Sequence, residues 1–207
     1  ENRQTLNIDE KFKIAEYAAS LIEDNDFVYI DAGTTTELMI NFINNTKAIF
    51  VTNGIVHARK LIKKKCTTYI LGGELKLATE AIVGAETVNS LRKYNFTKGF
   101  FGANGVDVQR GFTTPDVKEA MVKEEALHRS RKRFVLCDKS KFGEISSITF
   151  VTDSSKISSF VCGDTLLVFA ISRVSSSISS SLRCLKIVAA FSGPKVINKM
   201  AAFCTPV

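Results

Sequence analysis

Short apolar runs alternate with amphipathic segments along the first 150 residues, and this alternation constrains the fold more than any other feature of the chain. It predicts strands over residues 27–30, 48–51, 68–71, 99–101 and 134–137. It predicts helices over residues 12–22, 36–43, 55–62, 81–91 and 117–129. Strands separated by helices of about ten residues form parallel β-α-β units with right-handed crossovers. The sequence therefore predicts an α/β fold, with a mostly parallel sheet flanked by helices.

Polar or glycine-rich turns follow all five predicted strands, at residues 31–34, 52–54, 72–74, 102–105 and 138–141. Each turn alone is ordinary, because Gly and Asn readily adopt the backbone conformations that turns require. Ligands of open α/β sheets, however, bind outside the carboxyl ends of the strands. Five such turns at one edge of a sheet therefore predict a polar cleft.

The stretch Asp-Ala-Gly-Thr-Thr-Thr at residues 31–36 lies between the first predicted strand and the helix that follows it. The first N–H groups of a helix have no partner within the helix, and the positive end of its dipole lies there. Together with three hydroxyl groups, they predict a site for a phosphate or carboxylate. The stretch lacks the Gly-Lys-Ser/Thr of a P-loop, which argues against a nucleoside triphosphate. A threonine-rich helix cap without a ligand is the alternative.

Composition limits the class of protein. The chain has 207 residues, 45% of them hydrophobic, which is enough for one core. It has no apolar run long enough to span a bilayer and no signal-peptide pattern, so we expect no membrane partner. Five widely spaced cysteines favour a reduced, cytoplasmic protein. We expect no cofactor and no metal site, because the two histidines, His57 and His128, are better interpreted as structural or surface residues.

The net charge of +7 raises the question of nucleic-acid binding. Residues 161–207 hold five basic side chains and one acidic side chain, so more than half of the net charge lies in this tail. The basic clusters at residues 63–65 and 129–133 end predicted helices, where cations complement the helix dipole. The charge therefore does not argue for direct DNA binding by this chain.

The tail also breaks the periodicity. It contains serine runs at residues 175–177 and 179–181 and has no clear helical or alternating period, although residues 165–171 fit a strand. Two interpretations remain open for it. It either completes the sheet as a strand-helix-strand unit, or it reflects a shift in reading frame.

Several pieces of sequence stand in a fixed order between residues 7 and 150: 14–22, 31–36, 52–53, 71–73, 80–84, 102–107 and 138–143. With these pieces, the chain resembles the effector-binding domain of the DeoR family of bacterial sugar-operon repressors. Residues 94–123 are similar to the fructose-operon branch of that family. The resemblance implies the fold of ribose-5-phosphate isomerase and the CoA transferases. It also implies a phosphorylated sugar as the effector, with fructose 1-phosphate as the candidate.

The resemblance further implies a domain organisation. Family members normally begin with a winged helix-turn-helix that binds operator DNA, so that operator DNA would be a partner only through that N-terminal domain. Residues 1–10 are then the remnant of a linker, residues 11–160 the effector-binding α/β domain, and residues 161–207 an atypical C-terminal segment. A homo-oligomer that represses transcription is the implied assembly.

Kinship with isomerases makes a sugar-phosphate isomerase the alternative function. In those enzymes the fourth strand leads into a Gly-Ala-Asp-Glu motif, and isomerisation needs a carboxylate base. Here the motif is Gly-Ala-Asn-Gly, and the Asn104 amide can bind a hydroxyl but cannot act as a base at neutral pH. We therefore expect binding without catalysis, although Asp107 and Glu119 remain as carboxylates.

Candidate effector-binding residues follow from the turns and the resemblance together. The phosphate would be held by the loop residues Gly33, Thr34, Thr35 and Thr36. Its charge would be neutralised by Lys123 or Lys141. The other candidates are polar or glycine residues of the same edge: Asp31, Asn53, Gly72, Gly73, Glu80, Asn104, Asp116 and Glu119. A solvated helix lysine is the alternative for Lys123, and an acid at a helix N-terminus is the alternative for Glu80.

Overall fold

Helices and strands alternate through the first part of the protein. The computed structural model describes residues 5–44, 47–107, 109–152, 159–162, 167–170 and 186–188. The elements up to residue 70 are α1 (Ile8–Ser20), β1 (Phe27–Ile30), α2 (Thr34–Phe42), β2 (Ile49–Thr52), α3 (Ile55–Lys63) and β3 (Thr67–Ile70). Helices α2 and α3 thus begin within four residues of the strand before them, which places their N-termini at the edge where the strands end.

The second part of the chain adds short strands to this pattern. Its first elements are β4 (Glu74–Lys76), β5 (Ala81–Val83), α4 (Ala85–Leu91), β6 (Phe96–Gly102), β7 (Gly105–Asp107) and β8 (Gly111–Thr114). Its later elements are α5 (Val117–His128), β9 (Ser130–Leu136), a 3-10 turn (Lys139–Lys141), β10 (Ile148–Val151), β11 (Ser159–Cys162), β12 (Leu167–Ala170) and β13 (Lys186–Val188).

Among the described residues, the main sheet has eight strands in the order β13-β12-β11-β9-β6-β1-β2-β3. Every pair from β11 to β3 is parallel, and β12 and β13 are antiparallel to their neighbours. Strands β10, β8 and β7 form a second, small sheet, and β4 with β5 forms a hairpin. The predicted α/β fold with a mostly parallel sheet is confirmed.

The five predicted strands correspond to β1, β2, β3, β6 and β9, but the helix predicted at residues 81–91 is wrong in its first part. Ala81–Val83 is a buried strand that pairs antiparallel with β4, and Gly84 separates it from α4 with a φ of 96°. Glu80 precedes this strand, so its interpretation as an acid at a helix N-terminus is also wrong. Three apolar residues cannot distinguish a strand from a helical turn by periodicity.

The described residues of the C-terminal tail include one strand that the sequence predicts. Strand β12 lies inside the predicted strand 165–171, and it joins β11 to β13 in the main sheet. The serine runs 175–177 and 179–181 lie outside the described residues.

Two apolar clusters cover the two faces of the main sheet. Val28 and Ile30 of β1 belong to the cluster that packs against α1 and α2, whereas Tyr29 between them belongs to the cluster that packs against α4 and α5. Successive side chains of a strand point to opposite faces, so a strand buried on both sides must be apolar throughout. This burial fixes the strands and leaves their carboxyl ends to form the rim of a cleft.

Candidate functional site

A cleft of about 680 Å³ lies at the carboxyl edge of the main sheet, where β1, β6 and β9 end. It is bounded by the starts of α2 and α3, by the β4–β5 hairpin loop and by α5. Its polar lining residues are Lys11, Gly33, Thr34, Thr35, Glu37, His57, Lys76, Thr79, Glu80, Asn104, Glu119, Lys123, Asp138 and Lys141.

The loop at residues 31–36 presents backbone N–H groups to this cleft. Gly33 N donates to Thr36 Oγ1 at 3.1 Å, and Glu37 N donates to Gly33 O at 2.9 Å. The N–H groups of Thr34, Thr35 and Thr36 have no acceptor among the described residues. Thr35 is only 7% exposed, and its hydroxyl has no partner in the described part of the chain. The loop therefore offers an anion several unused donors at the positive end of α2.

Thr36 and Asn53 hold this loop rather than line the cleft. The Thr36 hydroxyl donates to Asp31 O at 2.6 Å. Asn53 Oδ1 accepts from Ala32 N at 2.9 Å and from the Tyr29 hydroxyl at 3.1 Å. Burial, aided by the nearby Asp31 charge, raises the pKa of Tyr29 well above its usual value, which keeps this hydroxyl a donor.

Asp31 and Lys123 form a buried ion pair at the floor of the cleft. Lys123 Nζ binds Asp31 Oδ2, which also accepts from Gly102 N at 3.0 Å. Lys123 is 5% exposed, so its interpretation as a solvated helix lysine is wrong. Lys123 lines the cleft, but the Asp31 carboxylate already compensates its charge.

Lys141 reaches the cleft from the 3-10 turn that follows β9. Its ammonium makes no ion pair with any residue that the structure describes. Asp138, at the start of that turn, accepts from Ser140 N and from Asn7 Nδ2. Burial acts to raise the pKa of Asp138, but these hydrogen bonds and the charge of Lys141 outweigh it and lower the pKa. Lys141 is thus a cation available to an anion in the cleft.

An ionic cluster closes the outer side of the cleft. Lys76 Nζ lies 2.8 Å from Glu119 Oε1 and 3.0 Å from Asp116 Oδ2. Asp116 also caps α5 by accepting from Glu119 N, and this bond, with the Lys76 ammonium, lowers the pKa of Asp116. Partial burial acts to lower the pKa of Lys76, but the two carboxylates outweigh it and raise the pKa. Lys76 therefore joins the β4–β5 hairpin to the start of α5.

Asn104 lies beside this cluster. Its Oδ1 is 3.2 Å from the Thr114 hydroxyl, which is also 3.3 Å from Glu119 Oε2. The Asn104 amide is thus held by a neighbour that is itself hydrogen bonded. Glu80 stands at the end of the hairpin loop with a φ of 50°, and its carbonyl accepts from Ile55 N.

The predicted site residues separate into two groups in the structure. Those that line the cleft are Gly33, Thr34, Thr35, Glu80, Asn104, Glu119, Lys123 and Lys141. Those that lie behind or beside it are Asp31, Thr36, Asn53, Gly72, Gly73 and Asp116. The second group shapes the turns or fixes the first group.

Sequence reasoning missed Lys76 and His57 as lining residues. Lys76 lies in a hairpin that only a distant pairing reveals. His57 is in the first turn of α3, immediately after a strand end, and that position was a usable signal. Within the described residues no helix is long and apolar enough for a bilayer, and no group of metal-binding side chains comes together.

Comparison with known proteins identifies a family whose members include transcription regulators. The sequence profile of the DeoR C terminal sensor domain matches residues 6–163. The regulator named "Uncharacterized HTH-type transcriptional regulator FruR" from Bacillus subtilis is 48% identical over 149 residues, which are 72% of this chain and 59% of that protein. The lactose phosphotransferase system repressor of Streptococcus mutans is 34% identical over 153 residues, 72% of this chain and 61% of that protein. The chain thus spans about three fifths of these curated relatives.

Solved structures resemble the fold at low sequence identity. The probable sor operon regulator from Shigella flexneri gives a TM-score of 0.53 at 11% identity, over 79% of this chain and 88% of that one. Ribose 5-phosphate isomerase A from Methanocaldococcus jannaschii gives a TM-score of 0.49 at 17% identity, over 66% and 55%. At such identities the likeness to the sor operon regulator concerns the fold alone.

Proposed function

Because the chain belongs to the DeoR family and carries its C terminal sensor domain at residues 6–163, we propose that it senses a phosphorylated sugar for a cytoplasmic repressor of sugar metabolism. Its relatives are transcription regulators and not enzymes, and its role is regulatory. Residues 11–160 would form the sensor, with residues 1–10 as a linker and residues 161–207 as a C-terminal segment. Operator DNA would be bound by a winged helix-turn-helix on the N-terminal side.

The unused N–H groups at the start of α2 carry this proposal. Three consecutive amides, Thr34 to Thr36, lack acceptors, and the Thr35 hydroxyl beside them lacks a partner in the described structure. An anion at this place would accept from several of these donors at the positive end of α2. Lys141, without an ion pair among the described residues, would add a charge-assisted bond to a phosphate.

The other end of the cleft suits a sugar. Glu80, Asn104 and Glu119 present carboxylate and amide oxygens there, and such acceptors bind hydroxyl groups. We propose fructose 1-phosphate as the first ligand to test, because residues 94–123 resemble the fructose-operon branch. Binding would bias the loops at this edge and, in a homo-oligomer, the spacing of paired DNA-binding domains, on which operator binding depends.

Thermal unfolding of the chain with fructose 1-phosphate, fructose 6-phosphate, fructose and inorganic phosphate tests this function. A ligand at about a hundredfold excess over its Kd raises the free energy of unfolding by about 2.7 kcal/mol, or several degrees in Tm. We expect a sugar phosphate to stabilise more than fructose or phosphate alone. Absence of stabilisation by either sugar phosphate at millimolar concentration would contradict the proposal.

Lys141→Met tests the placement of the phosphate. Loss of a charge-assisted bond should weaken binding of the sugar phosphate about tenfold in isothermal titration calorimetry. Lys13→Met, at an exposed position of α1, is the matched control and should bind as the parent chain does. Equal affinities for both variants would place the phosphate elsewhere.

A further inference from the structure

His57 uses one ring nitrogen to support the proposed phosphate loop and leaves the other without a partner. Its Nε2 lies 3.1 Å from Gly33 O, 3.3 Å from Gly33 N and 3.2 Å from Thr36 Oγ1. Its Nδ1 has no hydrogen-bond partner among the described residues. The side chain is 5% exposed and lines the cleft. Among the described residues, Thr87 Oγ1 is the side-chain polar atom that is sealed from solvent and has no partner. His57 Nδ1 is therefore not sealed, and because His57 lines the cleft, Nδ1 keeps access to it.

The surrounding hydrogen bonds indicate which nitrogen carries the proton. Gly33 N already donates to Thr36 Oγ1 at 3.1 Å, and the Thr36 hydroxyl donates to Asp31 O at 2.6 Å. Gly33 N also points toward Nε2, but at the longer distance of 3.3 Å, so we assign Nε2 as the donor to Gly33 O at 3.1 Å. In the neutral ring, Nδ1 is then a bare acceptor. Because Nδ1 reaches the cleft, it can accept from a donor that enters the cleft, or become a donor itself by taking up a proton.

Gly54 provides the space for this nitrogen. A Cβ at Gly54 would overlap His57 Nδ1, so no other residue fits at this position without displacing the ring. Gly54 is the N-cap of α3, which has no side-chain cap. The nitrogen therefore lies at the positive end of α3 and next to the start of α2, so the dipoles of both helices favour a bound anion there.

We propose that His57 is a ligand-binding residue of the phosphate site and takes up one proton when a phosphate-ester dianion binds, so that Nδ1–H donates to a phosphate oxygen. This inference rests on the proposed function and adds a binding residue and a proton to it. The proton comes from solvent, Nε2–H keeps its bond to Gly33 O, and no covalent bond changes.

The charges around His57 are consistent with a neutral ring before binding. The charged groups that act on it lie on α2, at the end of β1 and on α3: Glu37, Asp31 and Lys60. Lys123 of α5 and Glu80 of the hairpin loop line the same cleft. Burial lowers the pKa of His57, and the carboxylates of Glu37 and Asp31 oppose this without outweighing it. A dianion in contact with the ring would raise the pKa again. Anion affinity should therefore rise as pH falls from the bound-state pKa to the lower free-state pKa, and level off below it.

Nuclear magnetic resonance can follow both imidazoles of the chain, since it has two histidines. Sulfate is the probe, because it stays a dianion between about pH 5 and pH 8, where histidine titrates. We expect sulfate to raise the titration midpoint of His57 by about one pH unit or more. The ring signals of His128, exposed at the end of α5, serve as the internal control and should be unaffected by sulfate.

Calorimetry with sulfate provides the matched variants. The affinity of the parent chain should increase up to about tenfold per pH unit on acidification through this range. His57→Gln keeps an amide that can donate to Gly33 O but cannot titrate, so its sulfate affinity should be independent of pH. His128→Gln should retain the dependence of the parent chain.

Two results would overturn the inference, and they differ in whether the proposed function also fails. If sulfate shifts the amide signals of Thr34–Thr36 while the His57 midpoint stays fixed, or if His57→Gln retains the pH dependence, the anion binds without His57 and only the proposed function survives. If neither sulfate nor fructose 1-phosphate shifts those amides, both the inference and the proposed function fail.

Discussion

Asp31 has a structural task that its position in the loop does not reveal. It was a candidate for sugar hydroxyls, yet its carboxylate is 2% exposed and bound to Lys123 and to Gly102 N. The pair joins residues 92 positions apart, so no local pattern could have indicated it. Through this pair Asp31 fixes the end of β1 against α5, and thereby the floor of the cleft.

Lys123→Met should destabilise the protein strongly, because it leaves the Asp31 carboxylate buried without a counter-charge. Removing one partner of a buried pair costs about 3–5 kcal/mol in free energy of unfolding. Lys118→Met on the same helix breaks the half-exposed pair with Glu74, which should cost less than about 1 kcal/mol. Urea unfolding measures both. Equal losses would show that the buried pair contributes no more than a surface pair.

At the scale of elements, the β4–β5 hairpin is the part of the site that sequence reasoning did not obtain. The strands of the sheet were predictable because each is a short apolar run that ends in a polar turn. The hairpin strands have three residues each, and their identity depends on pairing across the loop. Lys76 was therefore not a candidate, and Glu80 had a helix N-terminus as its alternative, whereas the structure puts both on the cleft wall. The loop at residues 31–36 was predictable, because helix starts have local chemical signatures.

The turn that leads into this hairpin depends on Gly73. Its φ is 145°, and a Cβ there would overlap the Thr87 hydroxyl, which is buried and has no hydrogen-bond partner among the residues that the structure describes. Gly73→Ala should cost about 1–3 kcal/mol for the backbone strain alone, and more for the overlap. Gly72→Ala is the control, since a Cβ at Gly72 meets nothing within 4 Å, and its stability should change by less than about 1 kcal/mol. Equal chemical denaturation midpoints for the two variants would refute this role of Gly73.

At the scale of the whole molecule, the sheet has two polar edges with different uses. The carboxyl edge holds the cleft, and the amino edge holds a compact ion cluster in which Lys98 Nζ lies 2.6 Å from Asp26 and 2.7 Å from Glu23. Burial acts to raise the pKa of Asp26, but Lys98, Glu23 N and Thr97 outweigh it and lower the pKa. Burial likewise acts to lower the pKa of Lys98, and the two carboxylates outweigh it and raise the pKa.

This cluster should make stability depend on pH at both extremes. The Asp26 contribution is present above the unfolded-state pKa of about 3.9 and is lost as pH falls through the lower folded-state pKa. The Lys98 contribution is present below about pH 10.4 and is lost as pH rises through the higher folded-state pKa. We expect the free energy of unfolding, measured with urea across this pH range, to fall less at low and at high pH for Lys98→Met than for Lys132→Met. Lys132 is an exposed control on β9. Parallel curves would contradict the role of the cluster.

The family was predictable from the order of short motifs, and the comparisons confirm it. The sugar phosphate and its contacts stay predictions. What the motifs could not supply is burial, because the exposure of Lys123 or His57 depends on packing between segments far apart in the chain. His57 shows this most clearly, since the loop after β1 supplies all the hydrogen bonds that its side chain makes within the described residues.

The start of α1 meets the cleft directly. Leu6 lines it, and Asn7 Nδ2 donates to Asp138 at 2.8 Å, while Glu10 pairs with Lys139. Any segment on the N-terminal side of these residues is therefore anchored at the rim of the ligand site rather than across the sheet from it. A small displacement of the turn after β9 would rotate that segment about these contacts, and the resulting displacement would grow with distance from them. Ligand binding could then act on the N-terminal segment directly at the rim of the cleft, without a conformational change in the apolar core.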